Sequence, residues 1–138
     1  MPDEPVTVET AHWWQYASDD LATAEVLHAA HTVPSRHVCL HAQQAAEKAL
    51  KSLFVYQQLP VPKVHDLGYL QRRLPNNSRV YALPERELDA LAHWAVESRY
   101  PGEDTAANFH DAETAIATAR RVLDAVEADL VAAGFIHP

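Results

Sequence analysis

The chain has 138 residues, 48% of them hydrophobic, so it is long enough for one domain with a core and is not a disordered chain. Its formal net charge is -8 with histidine neutral, which argues against avid, nonspecific binding of nucleic acid. The single cysteine, Cys39, excludes an internal disulfide and a cysteine-based zinc site, and fits a reducing cytoplasm.

The sequence shows no sign of membrane targeting. Residues 1–5 are acidic and lack the apolar stretch of a signal peptide. No apolar run is long enough to cross a membrane. We therefore expect one cytoplasmic domain over residues 1–138, with loose termini at residues 1–8 and 135–138.

The first half of the chain predicts two long helices. The first covers about residues 9–30, where apolar residues recur three and four apart. This predicted buried stripe consists of Trp13, Ala17, Leu21, Ala24 and Leu27. The second helix is rich in alanine, begins near Pro34 with Ser35 as a candidate cap, and ends near Gln57.

The second half predicts a short helix and two longer ones. Two prolines make residues 59–62 an extended break, and a short helix follows over about residues 65–74. After a loop at residues 75–78, a fourth long element covers about residues 84–98 and stops at Pro101 and Gly102.

The last helix has the clearest pattern of apolar residues, which alternate three and four apart. They are Phe109, Ala112, Ile116, Ala119, Leu123, Val126 and Leu130. Thr105 is a candidate cap at its start, and Gly134 a candidate end. The fold expected is all-α, an up-and-down bundle of four long helices plus one short helix.

A row of polar side chains follows the second helix. His37, His41, Gln44, Lys48 and Lys51 step by four, three, four and three residues, which places them on one stripe. Such a row would hold a phosphate or lie against a partner. The alternative is an ordinary solvated helix face.

Four segments together resemble the HEPN domain family over about residues 10–130. The second helix, with HAQQAAEKALK at residues 41–51, resembles the family's signature helix. The family's short HDL segment is matched by His65, Asp66, Leu67 and Leu70, and its RYP turn by residues 98–102. Its first helix is matched by Trp13, Trp14, Tyr16, Ala17, Asp20 and Leu21.

The resemblance implies a helical-bundle fold and nucleotide or RNA binding. No cluster of residues in the sequence has metal-ligand spacing, so we expect no metal or other cofactor. Many members are metal-independent ribonucleases, and small members are often encoded beside a minimal nucleotidyltransferase as toxin–antitoxin-like pairs. The resemblance therefore implies such a nucleotidyltransferase-like partner for this chain, and the apolar surface of so small a bundle predicts a homodimer.

Arg99, in the RYP turn, is the leading candidate for chemistry. Its forked guanidinium suits two phosphate oxygens at once, and Tyr100 beside it would stack on a base. The alternatives are that Arg99 caps the end of a helix and that Tyr100 only packs against other side chains.

The family's catalytic motif is an arginine followed four to six residues later by a histidine. Residues 104–106 contain no histidine, and the nearest one after Arg99 is His110. Arg36 and His41 match the motif literally, but five helical residues rotate by about 140°, so the two side chains would diverge. His41 would instead reach Arg99 of the same or a paired subunit.

Three hypotheses follow: a HEPN-type nucleotide- or RNA-binding protein that works with a partner, a ribonuclease, and a non-catalytic dimerisation module. The ribonuclease would use Arg99 with His41 or His110 as the acid–base group. The predicted binding residues are Arg99, Tyr100, His41, Gln44, Lys48, Lys51 and His65.

Overall fold

The computed structural model describes residues 2–97 and 107–135. Within these ranges the regular structure is helical throughout, with no strand, and the predicted all-α bundle is confirmed. The elements are α1 (Glu4–Ala30), α2 (Ser35–Tyr56), α3 (Leu67–Arg72), a 3₁₀ turn (Arg79–Ala82), α4 (Glu85–Ala92), α5 (Trp94–Glu97) and α6 (Phe109–Ala132).

Helix α1 begins earlier than the apolar pattern predicts. The Asp3 side chain accepts a hydrogen bond from the backbone N–H of Val6 at 3.2 Å and so caps the helix at Glu4. A proline is tolerated in a first turn, where its missing N–H costs nothing. Glu4–Val8, which belong to the segment expected to be loose, are helical.

Helix α2 is the centre of the bundle and packs against both α1 and α6. Its small side chains allow close helix approach, and Ala42, Ala45, Ala46 and Ala49 are fully buried. Ser35 is the first helical residue and not a cap, since Pro34 takes the cap position and makes no side-chain hydrogen bond.

The predicted fourth helix is divided in two at His93. The backbone N–H of Val96 bonds to the carbonyl of His93 at 3.3 Å, a tighter i to i+3 turn that interrupts the α-helical ladder. The 3₁₀ turn before α4 was not predicted. It is held by Gln71, whose Nε2 donates to the carbonyls of Val80 and Leu83 at 3.0 Å each.

Helix α6 is capped by Asn108, not by Thr105, which lies outside the described residues. Asn108 and Asp111 form a reciprocal capping box. Gly134, at φ 100, ends the helix as predicted. Phe135 is buried and packs edge-on against Tyr56, with 5.5 Å between the ring centroids.

Helices α3 and α4 approach closely at Gly68. A Cβ at this position would lie 2.6 Å from Asp89 Oδ1, so a larger residue would force the Asp89 side chain to move. Asp66 caps α3 by accepting from the backbone N–H of Tyr69 at 3.0 Å. None of the helices in the described ranges combines the length and apolar character that a membrane span requires.

Candidate functional site

The predicted site residues divide into three groups. Arg99 and Tyr100 lie outside the described residues. His110 lies in the first turn of α6. The others lie on α2 or just before α3, and they are His41, Gln44, Lys48, Lys51 and His65.

Lys48 on α2 is neutralised by a carboxylate on α1. Its Nζ donates to Asp20 Oδ2 at 2.6 Å, and the Asp20 side chain is only 16% exposed. The same ammonium lies 5.8 Å from the centroid of the Tyr16 ring. Lys48 therefore joins α1 to α2 rather than presenting an unpaired charge to a ligand.

His41 lies two turns before Lys48 and faces the same carboxylate. Its buried Nδ1 is 3.8 Å from Asp20 Oδ1, beyond hydrogen-bond distance, and has no hydrogen-bond partner among the described residues. The side chain is 33% exposed, so the rest of the ring reaches the surface.

Glu47 is the centre of a second polar cluster on α2. Its carboxylate accepts hydrogen bonds from Gln43 Nε2 and Lys51 Nζ at 3.0 Å each, and its Oε1 lies 2.8 Å from His65 Nδ1. Glu47 and Lys51 form an i,i+4 ion pair on the helix. His65, which lies just before α3, thus reaches across to α2.

The pKa of the Glu47 carboxyl reflects two opposed effects. Burial alone would raise it, but the hydrogen bonds from Gln43, His65 and Lys51, with the charge of Lys51, lower it overall. The carboxylate thus stays ionised and holds the His65 ring by one nitrogen.

These contacts change the interpretation of the row of polar side chains on α2. Lys51 is buried against Glu47 and Lys48 is paired with Asp20, so the row is not a free cationic stripe. Gln44 and Lys48 do line a small cavity of about 220 Å³ together with His65.

A larger cleft of about 1000 Å³ lies between α4, α5 and α6. Its wall includes His110, a predicted site residue, and also Arg86, His93 and Trp94, which were not predicted. The sequence does contain a signal for this site, because Arg86 and His93 are seven residues apart and therefore share a helix face. It was missed because a single arginine and histidine on a helix are common.

The charges of the cleft are mixed. Arg121 donates to Glu87 at 2.6 Å, so these two largely cancel. Arg86 has no ion-pair partner among the described residues, while Asp89 and Asp111 add negative charge to the wall. Arg86 is therefore the guanidinium of this cleft that is available for an anionic group.

An aromatic contact fixes the start of α6, and with it His110. The Phe109 ring stacks on His28 and His31 at the end of α1, with centroids 4.2 Å and 5.0 Å apart. Because Phe109 and His110 are neighbours, this contact sets the position from which His110 faces the cleft.

The literal motif match on α2 does not form a site. The helix begins at Ser35, so Arg36 is inside it, and Arg36 and His41 diverge by about 140° around the axis. His41 is not among the residues that line the cleft with His110. Within the described ranges, no group of three or more histidine, cysteine, aspartate or glutamate residues is arranged to hold a metal ion.

Comparison with protein families gives a match to the HEPN domain over residues 10–129. Two solved structures are similar to this chain. TT1696 from Thermus thermophilus is 26% identical, with a TM-score of 0.71, and the match covers 86% of this chain and 96% of that one.

The second structure is ST0689, described as an archaeal HEPN homologue. It is 22% identical with a TM-score of 0.65, and the match covers 88% of this chain and 97% of that one, which supports the fold. No functionally curated protein matches the sequence.

Proposed function

Because this chain belongs to the HEPN domain family, we propose that it binds a nucleotide or RNA in the cleft between α4, α5 and α6. In this proposal it acts as a homodimer together with a nucleotidyltransferase-like partner, as a toxin–antitoxin-like pair. The observation that carries the proposal is Arg86, which has no ion-pair partner among the described residues and lines the cleft beside His93 and His110.

The cleft offers the groups that a nucleotide needs. Arg86 supplies a forked donor for phosphate oxygens. The partly exposed Trp94 ring, in edge contact with His93 at 5.1 Å, supplies an apolar surface for a base. A volume of about 1000 Å³ accommodates a nucleotide.

Support for the dimer comes from α1. Val8, Tyr16 and Val26 are 47%, 63% and 67% exposed, so this long helix carries apolar surface on its outer side. A single small bundle leaves such surface in water, and a second copy would bury part of it. Light scattering on the purified protein measures the mass directly, and a monomer at all concentrations would contradict this part of the proposal.

The binding proposal is tested by titrating labelled mononucleotides and short RNAs with the wild type and with Arg86→Glu. Charge reversal should weaken binding by about tenfold or more, since it removes a charge-assisted contact and adds repulsion. Arg73→Glu is the matched control, because Arg73 is exposed beside Tyr69 on another surface. Equal affinity of both variants, or no binding by the wild type, would contradict the proposal.

The presence of His110 in the same cleft favours a second candidate function, a metal-independent ribonuclease. In that case His110 or His41 would be the acid–base group, and Arg99 would stabilise the negative charge on the phosphorane oxygens. The test is cleavage of mixed RNA in EDTA by the wild type and by Arg99→Ala, His110→Ala and His41→Ala. Cleavage lost in Arg99→Ala and His110→Ala but kept in His41→Ala would assign the reaction to the cleft.

The third hypothesis, a non-catalytic dimerisation module, predicts that the protein binds no nucleotide and no RNA. A tight dimer that binds neither nucleotides nor RNA would favour it and would contradict both candidates above.

A further inference from the structure

A separate pocket of about 370 Å³ lies where α2 ends, and we call it the α2-end pocket. It is lined by Phe54 of α2, by residues 59–62 of the segment that follows, and by Tyr69 and Arg73. None of these residues lines the cleft between α4, α5 and α6. The lining is apolar apart from Arg73 and the hydroxyl of Tyr69, so the pocket has a different chemistry from the cleft.

The pocket forms because α2 ends in a Schellman motif. The N–H of Leu59 donates to the carbonyl of Phe54 at 2.9 Å, and the N–H of Gln58 donates to the carbonyl of Val55 at 3.0 Å. Gln58, at φ 59, takes the left-handed conformation that this motif requires. The chain therefore turns back at the end of the helix, and Leu59 lines the same pocket as Phe54.

The segment after the turn is extended and its backbone is open. Pro60 and Pro62 favour an extended chain, because each fixes its own φ and restricts the residue before it. Residues 59–66 accordingly belong to no helix. The N–H and C=O groups of Val61 and Lys63 form no hydrogen bond within the described part of the chain. Such an extended edge is the kind of structure along which a second extended chain pairs.

The rim of the pocket carries unpaired positive charge. The Arg73 guanidinium lies 4.9 Å from the centroid of the Tyr69 ring, a cation–π contact that holds it at the pocket. Its neighbour Arg72 is paired with Glu85, but Arg73 is exposed and makes no ion pair with a described residue. The same is true of Lys63, which directly follows the lining segment.

We propose that the α2-end pocket docks an extended, acidic peptide segment of a partner protein. One apolar side chain of the segment fills the pocket, and its backbone runs beside residues 60–64. A carboxylate within two positions of the apolar residue pairs with Arg73. This inference goes beyond the proposed function, because the docking site and the cleft have no residue in common.

Charge complementarity selects this occupant. The chain has 19 acidic residues against 11 lysines and arginines, so an apolar pocket with only a cation on its rim is a local exception. Residues 57–64 contain no aspartate or glutamate. A guanidinium beside an apolar pocket suits a carboxylate next to an apolar anchor. Two cations are too few for tight binding of a nucleic-acid strand, which is held mainly through many phosphates.

The experiment selects random ten-residue peptides, displayed on phage, for binding to the immobilised wild type after depletion on Arg73→Glu. The selected sequences should share an aliphatic or aromatic residue with aspartate or glutamate within two positions. One selected peptide is then synthesised with a fluorescent label and titrated with each variant. Replacing its apolar residue by alanine should weaken binding by about tenfold or more.

Protein variants locate the peptide in the pocket. Arg73→Glu should weaken binding of the labelled peptide by about tenfold or more, and Leu59→Ala by about threefold to tenfold. Arg36→Glu is the matched charge reversal, because Arg36 is exposed in the first turn of α2 and makes no ion pair with a described residue. It should bind the peptide as the wild type does. Thermal unfolding verifies that each variant is folded under the binding conditions.

The outcomes separate this inference from the proposed function. Selection of no peptide, selected sequences without the acidic residue, or equal affinity of Arg73→Glu and Arg36→Glu would each overturn the docking site. Displacement of the peptide by RNA, together with loss of RNA binding in Arg73→Glu, would assign the pocket to nucleic acid and overturn it as well. Nucleotide binding at Arg86 is measured independently, so its failure leaves the docking site standing.

Discussion

Lys48 Nζ on α2 lies 2.6 Å from Asp20 Oδ2 on α1, and this ion pair joins two long helices that pack against each other. Both residues belong to segments that resemble the HEPN family. The ion pair gives a structural reason for the presence of both residues, because each charge is partly buried and is stabilised by the other.

Asp20→Ala should destabilise the protein by about 1–3 kcal/mol, since it leaves the Lys48 ammonium partly buried without its carboxylate. Urea unfolding at neutral pH measures the loss. Glu25→Ala is the matched control: it breaks the exposed pair with Arg120 at 2.7 Å and should cost about 0–1 kcal/mol. Similar losses in the two variants would contradict a special role for the Lys48 pair.

Glu47 should make the protein more stable as pH rises through the acidic range. Its folded-state pKa is lowered from 4.5, so between the two pKa values the unfolded chain binds more protons. The contribution is complete above the unfolded value and is lost as pH falls through the folded value. The free energy of unfolding, measured in urea from about pH 6 to pH 3, should fall less steeply in Glu47→Gln.

Glu113→Gln is the control for that experiment, because Glu113 is exposed on α6 and makes no ion pair with a described residue. Its pH profile should run parallel to that of the wild type. If Glu47→Gln also runs parallel to the wild type, the hydrogen bonds around Glu47 do not stabilise its charged form.

Cys39 should be chemically inert in the folded protein. Burial, with the negative charge of Asp111, raises the pKa of its thiol to about 12. Reaction with a disulfide reagent at pH 8 should be at least about a hundredfold slower than in guanidinium chloride, because the thiolate is the nucleophile. Cys39→Ala carrying Ala22→Cys moves the thiol to the exposed side of α1 and should react rapidly without denaturant.

RNA binding should depend only weakly on salt. Arg86 is the one cleft guanidinium that lacks an ion-pair partner among the described residues, so we expect one or two phosphates to be neutralised. The logarithm of the association constant should then fall with the logarithm of the salt concentration at a slope of about -0.7 to -1.4. Arg86→Ala should bring the slope close to zero. A slope steeper than about -3 would show that many more cations contact the strand.

Much of the helical framework could be predicted from local sequence. The alanine-rich composition of α2, the apolar period of α6 and the end of α6 at Gly134 are local signals, and the structure confirms them. The N-caps of α1 and α6 were not predicted, although they too have local sequence signals. Asp3 and Asn108 are both favoured cap residues, and Asn108 lies three residues before Asp111. The break at His93 had no such signal.

The site was harder to predict because its groups come from distant parts of the chain. The sequence could place Lys48 and Lys51 on a helix face, but only packing against α1 brings Asp20 to Lys48. In the same way, only the return of the chain before α3 brings His65 to Glu47. The predictions for Arg99 and Tyr100 stay predictions.

The sequence by itself determined that this is a helical bundle of the HEPN family, because helix propensity, apolar period and motif residues are properties of neighbouring residues. The tertiary structure decided which polar groups are paired with one another and which line a cavity. Lys48 and Lys51 became internal ion pairs, while Arg86, His93 and His110 came together around a cleft. The physical reason is that the charge presented to a ligand depends on which carboxylates lie within a few ångströms, and packing between helices sets those distances.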